Sequence, residues 1–337
     1  MSDAVCARAP GKLFLLGEYA VLDGCPAVVA AIDRHVEVHL QRETRGTRVR
    51  ISSPDCGAAA FTAAHPPEID GPLRFVIAAF HAALSRYPEL GRLGCSLTIT
   101  SAMAGPGGAK IGLGSSAAVT VATTAALLSA AGTFIDRDAL FATALDAHRV
   151  AQDGVGSGAD VAASVYGGLI LFEPREQLLP VVSRLALPPH TKLLAAWSGE
   201  SASTAGLVKQ YLSACNGSAA ARAAFVAASR TSVDAFVSAL RQGVLSHAAI
   251  DANAAALERL GEQLELPVVT PRLARLVTIA RAYGAAAKTS GAGSGDCGIA
   301  LTRDAAAAER IRNAWRAAAL VPLDVGLDPT GVTVGCH

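Results

Sequence analysis

Apolar positions fall into short alternating runs along the first third of the chain and into longer, nearly unbroken ones beyond Lys110. Over His35–Leu40 the alternation puts Val36, Val38 and Leu40 on one face and His35, Glu37 and His39 on the other, the period of a half-buried strand. Val5–Arg8 and Lys12–Leu16, either side of Ala9-Pro10-Gly11, read as short strands, as do Arg48–Ser52 and Cys95–Thr100, with a helix near Leu73–Arg86. From Ser115 to about Ala131 the run of Ala, Val, Thr and Leu holds no charged residue, which predicts a helix buried on all sides. A helix over about Arg137–Gln152, a Gly/Ser turn at Gly154–Gly158 leading into Ala159–Val165, and a strand at Leu169–Phe172 follow.

Pro180, Pro188 and Pro189 punctuate the next stretch and predict a boundary there, with domains over 1–180 and 181–337. Beyond it come a strand at Lys192–Trp197 and four helical segments filling about Ala202–Ala282. A closing unit alternates strand Ala285–Lys288, a glycine loop, strand Cys297–Leu301, helix Ala305–Ala318 and strands near Val321–Val325 and Val332–Val334. No internal repeat or low-complexity tail interrupts the pattern.

Composition narrows the function. With 337 residues, 51% hydrophobic, 17% charged and a net charge of +1, the chain has material for one large or two ordinary domains and lacks the basic footprint of a nucleic-acid binder. No apolar run approaches the ~20 residues of a membrane span, and Met1-Ser2-Asp3 lacks the start of a secretory leader. Cysteines at 6, 25, 56, 95, 215, 297 and 336 are odd in number and widely spaced, which predicts free thiols and a cytoplasmic location rather than a disulfide frame or zinc site.

The candidate chemistry sits in three glycine loops. Lys110-Ile111-Gly112-Leu113-Gly114-Ser115-Ser116-Ala117-Ala118 opens the uncharged helix; its serines stand where orphan N–H groups need partners, and Lys110 adds a charge. A helix start of this kind suits a phosphate. Gly112, Gly114 and Ala117 also spell G-x-G-x-x-A, with Asp136 about 20 residues on, so a dinucleotide site competes with a phosphate cradle and with plain tight packing. Against the dinucleotide, only Gly132–Ile135 is available as its second strand, and Asp136 is better placed to cap the next helix.

The second loop, Gly154–Asp160, also enters a helix; Asp160 either complements the helix dipole or orients or deprotonates an attacking hydroxyl, and spacing alone leaves these open. The third, Ser290–Gly298, is followed by a strand, which defeats its dinucleotide regex and suggests backbone lying against a ligand. There is no G-x-x-x-x-G-K-[ST] and no G-x-S-x-G, which removes P-loop enzymes and weakens hydrolases. His35, Glu37 and His39 read as a solvated strand face rather than metal ligands.

Taken in order, the motifs resemble the GHMP kinases, the superfamily of galactokinase, homoserine kinase, mevalonate kinase and phosphomevalonate kinase. The resemblance rests on Ala9-Pro10-Gly11-Lys12 through Gly17-Glu18-Tyr19-Ala20-Val21-Leu22, on Gly112–Ala118 and on Ser290–Gly298, and spans nearly the whole chain. It implies an α+β fold: an N-terminal domain of the ribosomal-protein-S5 type, a C-terminal ferredoxin-like α/β sandwich, and ATP in the cleft between. Gly112, Leu113, Gly114, Ser115, Ser116 and Ala117 would then hold the ATP phosphates.

The details are most similar to the branch whose acceptor is phosphomevalonate. Glu18-Tyr19 stands where mevalonate kinases show Glu-His, Lys110 precedes the cradle, and Asp296-Cys297-Gly298 replaces Gly-Cys. Gly156–Ser164 with Tyr166-Gly167-Gly168, and Trp197–Thr204, are similar to the same branch, while the decarboxylase pattern around the catalytic Asp is missing. The resemblance implies catalytic roles for Asp160, Lys12 and Lys110, and substrate contacts at Lys12, Tyr19, Ser157, Gly158, Ser201, Ser203, Gly291, Ala292 and Gly293, with Lys288 a further candidate cation.

Mg²⁺ is the implied cofactor beside ATP. His148 stands where mevalonate kinases place a Mg²⁺-binding Glu, and since Mg²⁺ prefers oxygen it would lean on Ser116, the phosphates and water. A mevalonate kinase, another small-molecule kinase of the superfamily, or a non-catalytic ligand sensor are the alternatives; a sensor should lack the Asp or the Lys, and both are present. The implied partners are phosphomevalonate and ATP, with no nucleic acid or membrane, in a monomer or homodimer.

Overall fold

Two long antiparallel strands, β1 (Ala4–Leu16) and β2 (Ala27–Arg42), form the spine of the first lobe. The computed structural model describes residues 4–43, 45–132 and 136–336. Met1-Ser2-Asp3 and most of Gly132–Ile135, both read above, lie outside the described residues, as does the side chain of Cys336. The two short strands expected around Ala9-Pro10-Gly11 are one strand, because a register shift between Pro10 and Gly11 absorbs the proline without ending the ladder.

β3 (Arg48–Ser53), β4 (Gly57–Thr62), α1 (Arg74–Arg86), β5 (Cys95–Ser101), α2 (Ser115–Ala130), α3 (Arg137–Ala151), α4 (Ala159–Tyr166), β6 (Leu169–Glu173) and β7 (Val181–Leu185) follow. Then come β8 (Lys192–Trp197), α5 (Thr204–Asn216), α6 (Ala219–Arg241), α7 (His247–Leu264), α8 (Pro271–Ala282), β9 (Ala286–Ser290), β10 (Cys297–Thr302), α9 (Ala305–Ala317), β11 (Val321–Leu323) and β12 (Thr333–Cys336). Among the described residues the first sheet runs β12-β1-β2-β5-β3-β4, with β6 on β2 and β7 on β6. β7 and β12 thus join the first sheet although both lie beyond residue 180, β12 returning to it after the strands of the second sheet.

The second sheet, β11-β8-β10-β9, is antiparallel. With α5–α8 together filling the first crossover, its strands follow a β-α-β-β-α-β plan that places the fourth beside the first and the third beside the second, the ferredoxin-like arrangement the α+β expectation called for. Leu276, Ile311 and Trp315 pack α8 and α9 on it. α6 is long and apolar enough to pass a length test for a membrane span. Here its Phe225, Val233, Phe236 and Val237 are buried, while Arg222 binds Asp23 and Arg230 the Gly24 carbonyl.

α2 is enclosed as its composition predicts: Ala117, Ala118, Val121, Ala125 and Leu127 are fully buried, among α1, α3 and the β1–β2 spine. Cys6, Cys25, Cys56, Cys95, Cys215 and Cys297 are free thiols.

The strand face of His35 is not simply solvated. The segment before β12 folds back across it, and His35 Nε2 lies 2.7 Å from Asp328 Oδ2 with the residue 7% exposed. Arg8 can only donate to His35 Nδ1 (2.9 Å), so Nε2 carries the hydrogen given to Asp328. Burial alone would raise the Asp328 pKa, but the His35 bond and the Gly331 and Thr330 amides outweigh it and hold the carboxyl below its usual range. The stability this adds is present above about pH 4 and is lost as pH falls through the depressed value. Asp328→Asn is therefore expected to destabilise the fold by about 1.5–3 kcal/mol at neutral pH. Denaturant melts should show the deficit shrinking as pH drops below 4, the carboxylate reference value.

Candidate active site

The cradle is built where β1 passes under the entrance to α2. Gly112 and Gly114 have φ of 76° and 85°, in the left-handed region that favours glycine. A Cβ on Gly114 would lie 2.8 Å from Lys12 Cγ, and one on Gly112 2.6 Å from Asp296 Oδ2, so both glycines admit a charged side chain against the turn. Gly114 is the N-cap and no side chain caps α2. The serines expected to satisfy the orphan N–H groups do not: Ser116 Oγ instead lies 3.3 Å from His148 Nε2. Ser115 and Ser116 face a cleft, and the positive end of α2 is presented to it.

Lys12 is fastened to the same turn. Its N–H donates to the Leu113 carbonyl (2.7 Å) and its ammonium to the Gly112 carbonyl (3.0 Å). Asp160 lies in the first turn of α4, with Oδ1 accepting the Val161 N–H (2.9 Å) and Oδ2 3.9 Å from His148 Nε2. His148 thus stands between Ser116 and Asp160, buried and stacked on Phe75 with ring centroids 5.4 Å apart. Burial pushes its pKa down against the pull of Asp160. Ser157 accepts the Ala159 N–H (3.3 Å) at the start of α4, and Ser203 accepts the Gly206 N–H (3.3 Å) at the start of α5.

The back wall joins the two lobes. Tyr19, with φ of 59°, donates its hydroxyl to the Ala292 carbonyl (2.6 Å) and packs on Tyr211. Glu18 Oε1 pairs with Lys288 Nζ, both side chains almost wholly buried, and Lys288 also donates to the Thr289 carbonyl (2.7 Å). Burial drives the Lys288 pKa down while Glu18 pulls it back up. Lys288 is therefore not the available cation the sequence suggested, since its charge is spent on Glu18. Glu18 Oε2 has no hydrogen-bond partner among the described residues and Glu18 faces the cleft.

A cleft of about 590 Å³ gathers Lys12, Tyr19, Lys110, Gly112, Leu113, Gly114, Ser115, Ser116, Ser157, Asp160, Ser203, Gly291 and Ala292. Four expected residues do not line it. Ala117 is buried inside α2, and Gly158 packs on α3, where a Cβ would meet Leu145 Cδ1 at 2.2 Å. Gly293 packs on the Val268 carbonyl, 2.0 Å from a built Cβ, and the Ser201 hydroxyl donates to the Lys110 carbonyl (2.5 Å). Conversely, Arg74, Phe75 and an apolar end with Leu73, Val76, Ile99 and Met103 line the cleft unannounced by any motif, as does Asp296, which the third loop carried without a role. The sequence predicts a helix near Leu73–Arg86 and assigns these residues no part in a site.

Among the described residues no group of three or more His, Cys, Asp and Glu could hold a metal by itself. Ser116 and Asp160 offer oxygen, which suits Mg²⁺ arriving with a polyphosphate that supplies further oxygens. The assembled site combines an uncapped helix start, two lysines and a helix-mounted carboxylate, which together can hold a polyphosphate beside a second anion.

The chain is similar in sequence and fold to known proteins. The family model for the N-terminal domain of GHMP kinases matches residues 74–168, and that for their C-terminal domain matches residues 234–320. A Streptomyces phosphomevalonate kinase is 34% identical, the match covering 95% of this chain and 96% of the relative. A mevalonate kinase from Pyrococcus furiosus is 32% identical over 91% of this chain and 93% of its own. The crystal structure of the Lin0012 protein from Listeria innocua superposes with a TM-score of 0.91 at 26% identity, covering 99% of this chain and 100% of that one. Streptococcus pneumoniae phosphomevalonate kinase, in complex with phosphomevalonate and AMPPNP, gives 0.81 at 25% identity, covering 96% and 99%.

Proposed function

Because this chain belongs to the GHMP kinases, we propose that it transfers the γ-phosphoryl of ATP to the phosphate of (R)-5-phosphomevalonate, giving (R)-5-diphosphomevalonate and ADP. The carrying observation is the pairing of the uncapped α2 start with Lys12, which is tied to the Gly112 carbonyl at 3.0 Å. A neutral or hydroxyl-bearing acceptor needs one phosphate cradle; a phosphorylated acceptor needs cations to offset the repulsion of two anions, and Lys12 and Lys110 both face the cleft.

In this reading the ATP phosphates lie on Gly112–Ser116 and the adenosine against Leu73, Val76, Ile99 and Met103. Mg²⁺ held by the phosphates, Ser116 and water would supply charge neutralisation. The acceptor phosphate is already ionised near neutral pH, its second pKa being about 6, so no strong base is required. Asp160 then orients charge rather than removing a proton. Lys12 and Lys110 draw donor and acceptor phosphates together, and the unpartnered Glu18 Oε2 accepts the substrate's hydroxyl. The free thiols suit a cytoplasmic enzyme.

The test is ADP release with a panel of acceptors. Release is expected with phosphomevalonate and not with mevalonate or galactose. Turnover of mevalonate alone would move the chain to the hydroxyl-phosphorylating kinases, which the Pyrococcus relative represents.

A further inference from the structure

Lys110 ends an exposed excursion that carries Gly105, Gly107 and Gly108 and closes on itself through an Ala104–Lys110 bridge and a Gly105 N–H to Ala109 carbonyl bond (2.8 Å). Gly107 and Gly108 have φ of 67° and 80° with open space around them. A glycine-rich surface segment of this kind does not hold an ammonium in place unaided. The next residue, Ile111, is gripped through its carbonyl by the Cys297 thiol (3.0 Å). Lys110 itself is gripped by the Ser201 hydroxyl at its carbonyl (2.5 Å).

Ser201 belongs to a strap, 198–203, that is wrapped around Asp296. The Ser198 N–H donates to the Asp296 carbonyl (2.8 Å), the Asp296 N–H to the Glu200 carbonyl (2.7 Å), and the Ala202 N–H to Asp296 Oδ1 (3.1 Å). Asp296 is 5% exposed, adopts a left-handed φ of 53°, and lies directly against Gly112. A carboxylate beside a site for two anions opposes their binding, so charge toward the ligands does not explain this residue. Its hydrogen bonds to the strap do.

We propose that Asp296 is a positioning residue for Lys110: by holding the Ala202 N–H it sets the strap, the strap sets Ser201, and Ser201 sets the backbone from which the Lys110 ammonium reaches the phosphates. This rests on the reading of Lys110 as a phosphate-binding cation. It also accounts for an acid in the third loop that the phosphate chemistry leaves unused.

A double-mutant cycle tests it. Asp296→Ala and Ser201→Ala are each expected to lower kcat/KM about tenfold in the natural chain and less than about twofold in a Lys110→Met background, a coupling within the usual range for linked residues. Asp296→Asn, which keeps an acceptor oxygen for Ala202, should recover most of the loss. Equal losses in both backgrounds, or an Asn variant as poor as Ala, overturn the inference while leaving the kinase reading intact. Lys110→Met without effect overturns the assignment of Lys110 and this inference with it. Ser201 is exposed, so its arm of the cycle stands if Asp296→Ala fails to fold.

Discussion

Lys12→Met is expected to lower kcat/KM by roughly two to three orders of magnitude, the range for removing one preorganised charge-stabilising donor, with little change in melting temperature. Methionine keeps the unbranched stem that crosses Gly114, so the packing under the cradle survives. What disappears is one hydrogen bond to the Gly112 carbonyl, about 1 kcal/mol of stability, and one positive charge facing the cleft. In the proposed reaction the charge is the larger loss, because it would act on both phosphates in a partly enclosed cleft. Asp160→Asn makes a matched comparison: the amide oxygen can still accept the Val161 N–H, and only the charge is removed. Steady-state kinetics and thermal melts on the same preparations decide the matter. A fall in melting temperature that matches the loss of activity in both variants would withdraw these residues from the chemistry.

Lys288→Met is expected to produce the largest loss of stability among single substitutions at the site, about 3–5 kcal/mol. Lys288 is 0% exposed and its partner Glu18 is 3% exposed. Removing the ammonium leaves an almost wholly buried carboxylate without its counter-charge, with its second oxygen already lacking a partner among the described residues. Replacing both, Glu18→Leu with Lys288→Met, should restore most of the stability, because the pair's mutual attraction largely offsets its own desolvation. Chemical denaturation of the two single variants and the double variant measures this. Additive losses would show that the pair is not a coupled unit.

The parts of the site that were legible in the sequence are those whose logic is local. Gly112, Gly114 and the uncharged run behind them announce a turn welded to a buried helix within a single stretch. Kinship in the order of three loops then carried the fold class. The misreadings of individual side chains at the site are non-local. Lys288 looked like a free cation because Glu18, which neutralises it, is 270 residues away. Ser115 and Ser116 looked like caps because the imidazole that engages Ser116 arrives from α3. Gly158 and Gly293 looked like ligand contacts because sequence does not reveal that Leu145 and the Val268 carbonyl press on them. β4 escaped notice since its Ala-rich run shows no alternation, and Ala27–Ile32 of β2 did so because it is buried on both faces and shows no polar positions.

The first sheet also has a history in time. β1 carries Lys12, and its two neighbours are made at very different moments: β2 follows at once, whereas β12 pairs Val5 with Cys336. While the ribosome is still working, the outer edge of β1 has no partner, and an open edge is a template for wrong pairing. The strand under the Gly112–Ser116 turn therefore gains its second neighbour only from residues 333–336. Production of this enzyme should depend on how long that edge waits, so slow synthesis of its second half is a hazard that its finished stability does nothing to remove.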